Sequence, residues 1–157
     1  MTAPNSGWHA RLAELGIRLP AVAAPVAAYV PAIRSGSLVF TSGQLPFVGG
    51  QLVTGRLGDD VSLEQGTAAA QACGLMILAQ LKATLGSLDR VERVVKLGAF
   101  VNSTMDFTDQ PKVANGASEL MAQVFGEAGK HARSAVGVPV LPLGAAVEVD
   151  AIVAVRP

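Results

Sequence analysis

Arg133, Glu148 and Asp150 are charged residues whose types and spacing could support chemistry near the C-terminus. An arginine guanidinium matches a carboxylate ligand through two parallel hydrogen bonds, and a nearby glutamate can accept or relay protons. Alternation along the strand predicted at 145–155 turns both carboxylates away from its valine-rich face. The chemistry therefore depends on whether Arg133 comes to the same side as these carboxylates.

The pairing of the last two predicted strands decides this question. A turn at 141–144 would join them as a hairpin, with Gly137 opposite Glu148. Ala135 and Arg133 would then share that face, and the small residues would leave room for a ligand beside the guanidinium. A solvated face with ordinary cross-strand ion pairs fits the same spacing, and a slip of one residue in the turn would separate the charged groups.

Two hydroxyl groups form a second candidate pair near the N-terminus. A hairpin is predicted over 26–42, with its turn at 35–36. This register places Tyr29 directly opposite Ser42, and both hydroxyls can donate and accept hydrogen bonds. Gly43 follows at once and would let a ligand or a backbone approach closely. The pair also fits an ordinary cross-strand contact.

The remaining candidates are the two histidines and the single cysteine. His131 precedes Arg133 by two residues, so it could line the same mouth or belong to a surface loop. His9 lies in a predicted N-terminal helix, and nothing in the sequence orients it. Cys73 falls on the apolar stripe of a helix, which predicts a buried and unreactive thiol. One cysteine cannot form an internal disulfide, and no Cys/His cluster has metal-ligand spacing, so neither a disulfide nor a metal is predicted. A reducing, cytoplasmic setting is expected.

Composition limits the partners that this chain is expected to have. Its 157 residues correspond to about one domain. Half of the residues are hydrophobic and only 15% are charged, which predicts that part of the apolar excess lies in contacts between identical subunits. The net charge is zero and aromatics make up 4%, so nucleic acid is not expected as a partner. The longest apolar stretches are interrupted by prolines, and a membrane is not expected either.

Periodicity and helix caps predict the elements that position these residues. They are a helix at 7–15, a linker at 17–25, strands at 26–34 and 37–42, a glycine-rich loop at 43–61 with a short strand at 51–54, a helix at 62–86, a strand at 91–102, a helix at 109–126, and strands at 133–140 and 145–155. This order predicts an α+β domain at 26–157, preceded by an N-terminal helix and linker at 1–25. Two helices would pack on one face of a largely antiparallel sheet, in which the strand at 91–102 could pair in parallel.

Two separated stretches of the sequence resemble signatures of the Rid/YjgF family of reactive-intermediate deaminases. The first is LVFTSGQLP at 38–46. The second is ARSAV at 132–136, followed by Leu141-Pro142 and by VEVDA at 147–151. The resemblance covers residues 26–155 and implies a chorismate-mutase-like α+β fold, assembled as a homotrimer with clefts between neighbouring subunits.

The resemblance also implies an activity, the hydrolysis of enamine and imine intermediates such as 2-aminoacrylate to 2-oxo acids and ammonia. It implies that Arg133 grips the carboxylate of a small metabolite, that Glu148 places or activates water, and that Tyr29 and Ser42 line the pocket. We expect three more residues to contact the substrate, namely Gly43, Ala135 and His131. No cofactor is implied, because the site need only orient the substrate and one water.

The sequence departs from the family pattern at one position of the second signature. Ala135 stands where the best-characterised deaminases carry a cysteine. Residues 1–25 and the longer second helix, which ends in VFGEAGKH at 124–131, resemble a divergent subgroup, some of whose members are labelled endoribonuclease L-PSP-like. Two alternatives to a deaminase therefore remain open. One is a non-catalytic trimer that binds small carboxylates, and the other is a ribonuclease.

Overall fold

The computed structural model describes residues 7–23 and 27–157 of the chain. Three α-helices and seven β-strands lie within these two ranges. In chain order they are α1 (Trp8–Glu14), β1 (Ala32–Ser35), β2 (Leu38–Thr41), β3 (Phe47–Val48), β4 (Gln51–Leu52), α2 (Leu63–Leu85), β5 (Val91–Asn102), α3 (Gln110–Phe125), β6 (Ala132–Val138) and β7 (Val147–Val155). Short 3-10 helices occupy Leu88–Arg90, Gly126–Gly129 and Pro142–Gly144.

Five of the strands form one mixed sheet in the order β1-β2-β7-β5-β6. The β5 and β6 strands run parallel, and the other neighbours are antiparallel. A separate hairpin consists of β3 and β4. The two long helices, α2 and α3, cover one face of the large sheet, so the predicted α+β class and the parallel pairing of 91–102 are both confirmed.

The ends of α2 follow from its caps, as the sequence predicts. The Ser62 hydroxyl accepts from the Gln65 backbone at 3.1 Å, and the Gln65 side chain accepts from the Ser62 backbone at 2.9 Å. Gly86 ends the helix with a φ of 81°, which residues with a side chain rarely adopt. The thiol of Cys73 lies on the buried side of this helix, as predicted, and burial raises its pKa far above the ordinary value.

The length and apolar composition of α2 would suffice to cross a membrane. In this fold 61% of its most apolar window is buried, because the helix packs against both the sheet and α3. The sequence analysis considered the longest apolar stretches, which prolines interrupt, and did not single out this helix. Burial against the sheet accounts for its composition.

The core lies between the two long helices and the valine-rich face of β7. Five residues of β7 at alternate positions are buried on this face, namely Val147, Val149, Ala151, Val153 and Val155. The α1 helix, predicted at 7–15, docks beside the core through Trp8. The indole Nε1 of Trp8 donates to the Val91 carbonyl at 2.8 Å, and its ring meets Phe125 edge to face at 5.2 Å. The predicted linker has no regular structure over 17–23, and its last two residues lie outside the described ranges.

The predicted C-terminal hairpin is wrong, because β6 and β7 do not pair. Strand β5 lies between them and bonds to both. The chain leaving β6 passes the end of β5, where the Asn102 side chain donates to the Ala145 carbonyl at 3.1 Å and the Asn102 backbone donates to Ala146 at 2.9 Å. The 3-10 turn at Pro142–Gly144 therefore belongs to a crossover, and Gly137 does not lie opposite Glu148.

The first hairpin exists, but its predicted register is wrong. Its strand begins at Ala32 instead of residue 26, and Ser35 pairs with Leu38. Gly36 has a φ of 63° and is the first of the two turn residues, whereas the predicted turn at 35–36 made it the second. Tyr29 therefore lies before the strand and not in the ladder opposite Ser42. Val26 lies outside the described residues.

Candidate functional site

Strand β6 places Arg133 on the helix-covered face of the sheet, against α3. The guanidinium Nη1 of Arg133 donates to Asn115 Oδ1 at 2.8 Å and to Ser118 Oγ at 3.0 Å. Residues three apart on a helix lie on one side of it, which is why Asn115 and Ser118 reach the same nitrogen. The side chain is half-buried, at the edge of the sheet.

His131 lies beside Arg133 and is linked to it through Ser118. Its Nε2 is 2.9 Å from Ser118 Oγ, and its Nδ1 is 2.6 Å from the Gly129 carbonyl. A cavity of about 490 Å³ opens here, and its lining includes Arg133, His131 and Lys130. Of the two possibilities left open for His131, the structure shows it lining the same cavity as Arg133, while both of its ring nitrogens already have partners within the protein.

Ala135 lies on the same face of β6 as Arg133, two residues further on. It pairs with Ala99 of β5 and packs against the apolar core. Its methyl group therefore belongs to the packing at the rim of the core, on the face of β6 that carries Arg133.

The second group of predicted residues lies at the other end of the strand order. Ser42 follows β2, and its hydroxyl donates to the Val30 carbonyl at 2.6 Å, next to Tyr29. A methyl group on Gly43 would overlap the carboxylate of Glu148 on β7. Glycine at this position therefore lets the Glu148 carboxylate lie against the backbone that follows β2. Ser42 and Gly43 thus lie near Val30 and Glu148, although Tyr29 and Ser42 do not pair in a ladder as predicted.

Glu148 shares the open face of the sheet with Asp150. Both point away from the helices, because they alternate with the buried valines of β7. Partial burial raises the pKa of Glu148, and the nearby Asp150 carboxylate raises it further. Burial also raises the pKa of Asp150, against the lowering effects of the Gly98 backbone and Lys96. Glu148 therefore holds its proton to higher pH than an ordinary glutamate, which suits a group that exchanges protons.

The prediction that Arg133 and Glu148 share one face is wrong within a single protomer. Arg133 bonds to α3 on the covered face, whereas Glu148 lies on the open face. The predicted alternation of side chains along β6 and along β7 is correct, but the predicted hairpin between these two strands does not exist. One protomer thus contains two separate groups, one around Arg133 and one around Glu148.

The sequence analysis missed two residues of the Arg133 group, Asn115 and Ser118. Both are polar and stand three residues apart on α3, within a stripe of buried small and apolar residues. Polar side chains at such positions need a partner from the element packed against them. This pattern in the sequence predicts a polar partner for the two side chains, but it does not identify the strand that packs against this part of α3.

A larger cavity lies away from both groups. It measures about 640 Å³ and lies between residues 18–23, the turn at Phe47–Gly50 and α2. Its lining is apolar except for Arg18 and contains none of the predicted site residues. Volume alone therefore does not identify the site. Within the ranges that the structure describes, no three His, Cys, Asp or Glu side chains group closely enough to hold a metal ion.

Comparisons with known proteins agree with the fold and with the two signatures. The family model described as "YjgF/chorismate_mutase-like, putative endoribonuclease" matches residues 9–154. The Trypanosoma cruzi protein TCP17 is 57% identical over 147 residues, which is 92% of this chain and 91% of that protein.

Two solved structures are also similar over nearly the whole chain. The Agrobacterium tumefaciens protein Atu1372, of unknown function, is 48% identical with a TM-score of 0.87, covering 95% of this chain and 92% of its own. A protein of Shewanella oneidensis described as an endoribonuclease, with that function marked as unproven, is 36% identical with a TM-score of 0.91, covering 96% and 100%. The chain belongs to the YjgF/chorismate-mutase-like family.

Proposed function

We propose that this protein hydrolyses enamine and imine intermediates, such as 2-aminoacrylate, to 2-oxo acids and ammonia. The observation that carries the proposal is the state of the Arg133 side chain. It is half-buried beside a cavity and bonded to neutral side chains, and none of the ion pairs in the described residues involves it. A guanidinium that is partly withdrawn from water gains from an anionic partner, and this one is available to a carboxylate ligand.

The reaction needs little beyond orientation and proton transfer. The enamine gains a proton at its terminal carbon and becomes an iminium ion. Water adds to the iminium carbon and loses one proton, and the nitrogen of the resulting carbinolamine takes up a proton. Ammonia leaves as the carbonyl forms, and the hydroxyl proton released in that step balances the one gained by the carbon. Arg133 holds the carboxylate in place, and Glu148 accepts a proton from the attacking water and returns one to the leaving nitrogen. The raised pKa of Glu148 suits both transfers.

The proposed site is composite, with Arg133 from one protomer and Glu148 from its neighbour. The two side chains lie on opposite faces of one sheet, so a single protomer cannot present both to one ligand. An interface between the β6 edge of one protomer and the β1–β2 end of the next joins two different surfaces, and such an interface forms a closed ring when the rotation between protomers closes. We propose the ring to be a homotrimer.

The open face of the sheet supports this assembly. Ile33 pairs with Phe40, Phe40 pairs with Ile152, and Val136 pairs with Phe100, all across the uncovered side. Ile33 is 59% exposed and Val136 is 45% exposed. Exposed apolar side chains on a sheet face that no helix covers are typical of a subunit interface. In the assembly, Tyr29, Ser42 and Gly43 would line the Glu148 side of the cleft.

The test is release of ammonia and 2-oxo acid from 2-aminoacrylate that a serine dehydratase generates in the assay. We expect acceleration by the wild-type protein and a loss of about 100-fold or more in Arg133→Ala. Arg18→Ala, which removes an exposed arginine remote from the site, serves as the matched control and should act like wild type. An Arg133→Ala rate equal to the wild-type rate contradicts the proposal.

Measurements of 2-oxo acid binding and of RNA cleavage, made beside this assay, separate the alternatives. A trimer that binds 2-oxo acids through Arg133 without accelerating hydrolysis would be a carboxylate-binding protein. Ribonuclease activity is the second candidate, because a similar structure carries that description. RNA cleavage that persists through purification and disappears in Arg133→Ala would establish it. The zero net charge and the low aromatic content favour the small carboxylate as ligand.

A further inference from the structure

We infer that Asn115, Ser118 and His131 are positioning residues that hold the Arg133 guanidinium with one edge free for the substrate carboxylate. The inference rests on the proposed function and adds the residues that prepare the arginine for binding. Asn115 and Ser118 are not among the predicted site residues. His131 takes a role other than the direct substrate contact that the sequence analysis expects.

The chain of hydrogen bonds around Ser118 has a fixed direction. The Gly129 carbonyl can only accept, so His131 Nδ1 carries the hydrogen in the 2.6 Å contact. In the neutral ring Nε2 is then an acceptor, and the Ser118 hydroxyl donates its one hydrogen to it at 2.9 Å. The lone pairs of Ser118 Oγ remain for Arg133 Nη1 at 3.0 Å. His131 therefore keeps Ser118 in the acceptor orientation that the guanidinium needs.

The same contacts decide which edge of the guanidinium is free. Both hydrogens of Nη1 are used, one by Asn115 Oδ1 and one by Ser118 Oγ. The Nε and Nη2 hydrogens of Arg133 have no partner among the residues that the structure describes. The Nε hydrogen and the one Nη2 hydrogen on the same side as it point the same way and match the two oxygens of one carboxylate. The geometry thus directs one carboxylate to the Nε and Nη2 edge.

Neutral partners suit this task better than an acidic side chain would. A carboxylate from the protein would orient the arginine but would also neutralise it and compete with the substrate. Asn115 and Ser118 fix one nitrogen and leave the full positive charge for the ligand. Fixing the side chain before binding removes part of the entropy that the ligand would otherwise have to offset.

The first test measures binding of 2-oxobutyrate by calorimetry to the full chain and its variants. We expect Ser118→Ala, Asn115→Ala and His131→Leu each to weaken binding about tenfold. His131→Gln keeps an acceptor facing Ser118 and should recover most of the affinity. Gln123→Ala, an exposed change on the same helix, is the control and should bind as wild type. Urea unfolding of each variant identifies any loss that is due to misfolding.

The second test needs no ligand and reads the arginine itself. Nitrogen-detected NMR of the Arg133 side chain should show slow rotation about the Cζ–Nη1 bond in the wild type and His131→Gln. Rotation should be faster in Ser118→Ala and His131→Leu. Folded variants with wild-type affinity and wild-type rotation overturn the positioning role and leave the proposed function intact. A different result is also possible, in which neither the wild type nor any variant binds 2-oxobutyrate or hydrolyses 2-aminoacrylate while the rotation changes as expected. In that case the hydrogen bonds around Ser118 do hold Arg133, and the proposed function fails.

Discussion

The Arg133 guanidinium and the Glu148 carboxylate lie on opposite faces of one β-sheet, and β5 separates the strands that carry them. Arg133 is near the start of the edge strand β6, whereas Glu148 touches the backbone that follows β2. A ligand held by both must lie between two protomers. The assembly is therefore part of the proposed chemistry.

The first prediction concerns the contact between Gly43 and Glu148. Gly43→Ala introduces a methyl group that overlaps the carboxylate, so we expect a stability loss of about 1–3 kcal/mol and lower deaminase activity. Urea unfolding and the ammonia assay measure the two effects. In a Glu148→Ala background the same change has room, and its cost to stability should largely disappear. An equal cost in both backgrounds would mean that the contact is not the cause.

The second prediction concerns the N-terminal helix, which Trp8 attaches to the core. Trp8→Ala removes the bond to the Val91 carbonyl and the edge-to-face contact with Phe125, so we expect a loss of about 3 kcal/mol. The measurement is the free energy of unfolding in urea. Glu14→Ala on the same helix removes only an exposed ion pair with Arg11 and should cost less than about 0.5 kcal/mol. Equal effects of the two changes would show that Trp8 does not anchor the helix.

The third prediction concerns pH and the Glu148 carboxyl. Its pKa is higher in the folded protein than the ordinary value of 4.5, so the folded state binds more protons between these two values. Stability from this group therefore falls as the pH rises above 4.5 and is restored on acidification. We expect Glu148→Gln to gain stability relative to wild type as the pH is raised from about 4 to about 7.

The measurement for this third prediction is urea unfolding at equal protomer concentration across the pH range. Asp59→Asn, at an exposed carboxylate in a loop, is the control for the loss of one negative charge. A stability difference between Glu148→Gln and wild type that stays constant or shrinks with rising pH contradicts the electrostatic assignment.

The elements could be predicted from local signals, whereas the strand order could not. The capping box at Ser62, the proline at 111 and the valine alternation of β7 act over a few residues, and they gave the helices and strands nearly as observed. Whether the segment before Val147 turns back as a hairpin or crosses β5 depends on distant contacts, here with Asn102. Side-chain alternation along each strand is the same in both arrangements, so the sequence could not show that Arg133 and Glu148 lie on opposite faces of the sheet.

The central claim is that Arg133 and Glu148 act in one site from two neighbouring protomers, and subunit mixing tests it most directly. Arg133→Ala and Glu148→Gln are each expected to be nearly inactive. When the two variants are co-expressed and assemble at random in a closed ring, about one site in four pairs an intact Arg133 with an intact Glu148. The account predicts that the mixed protein recovers about a quarter of the wild-type deaminase rate. A mixed protein no more active than its two parents would contradict it.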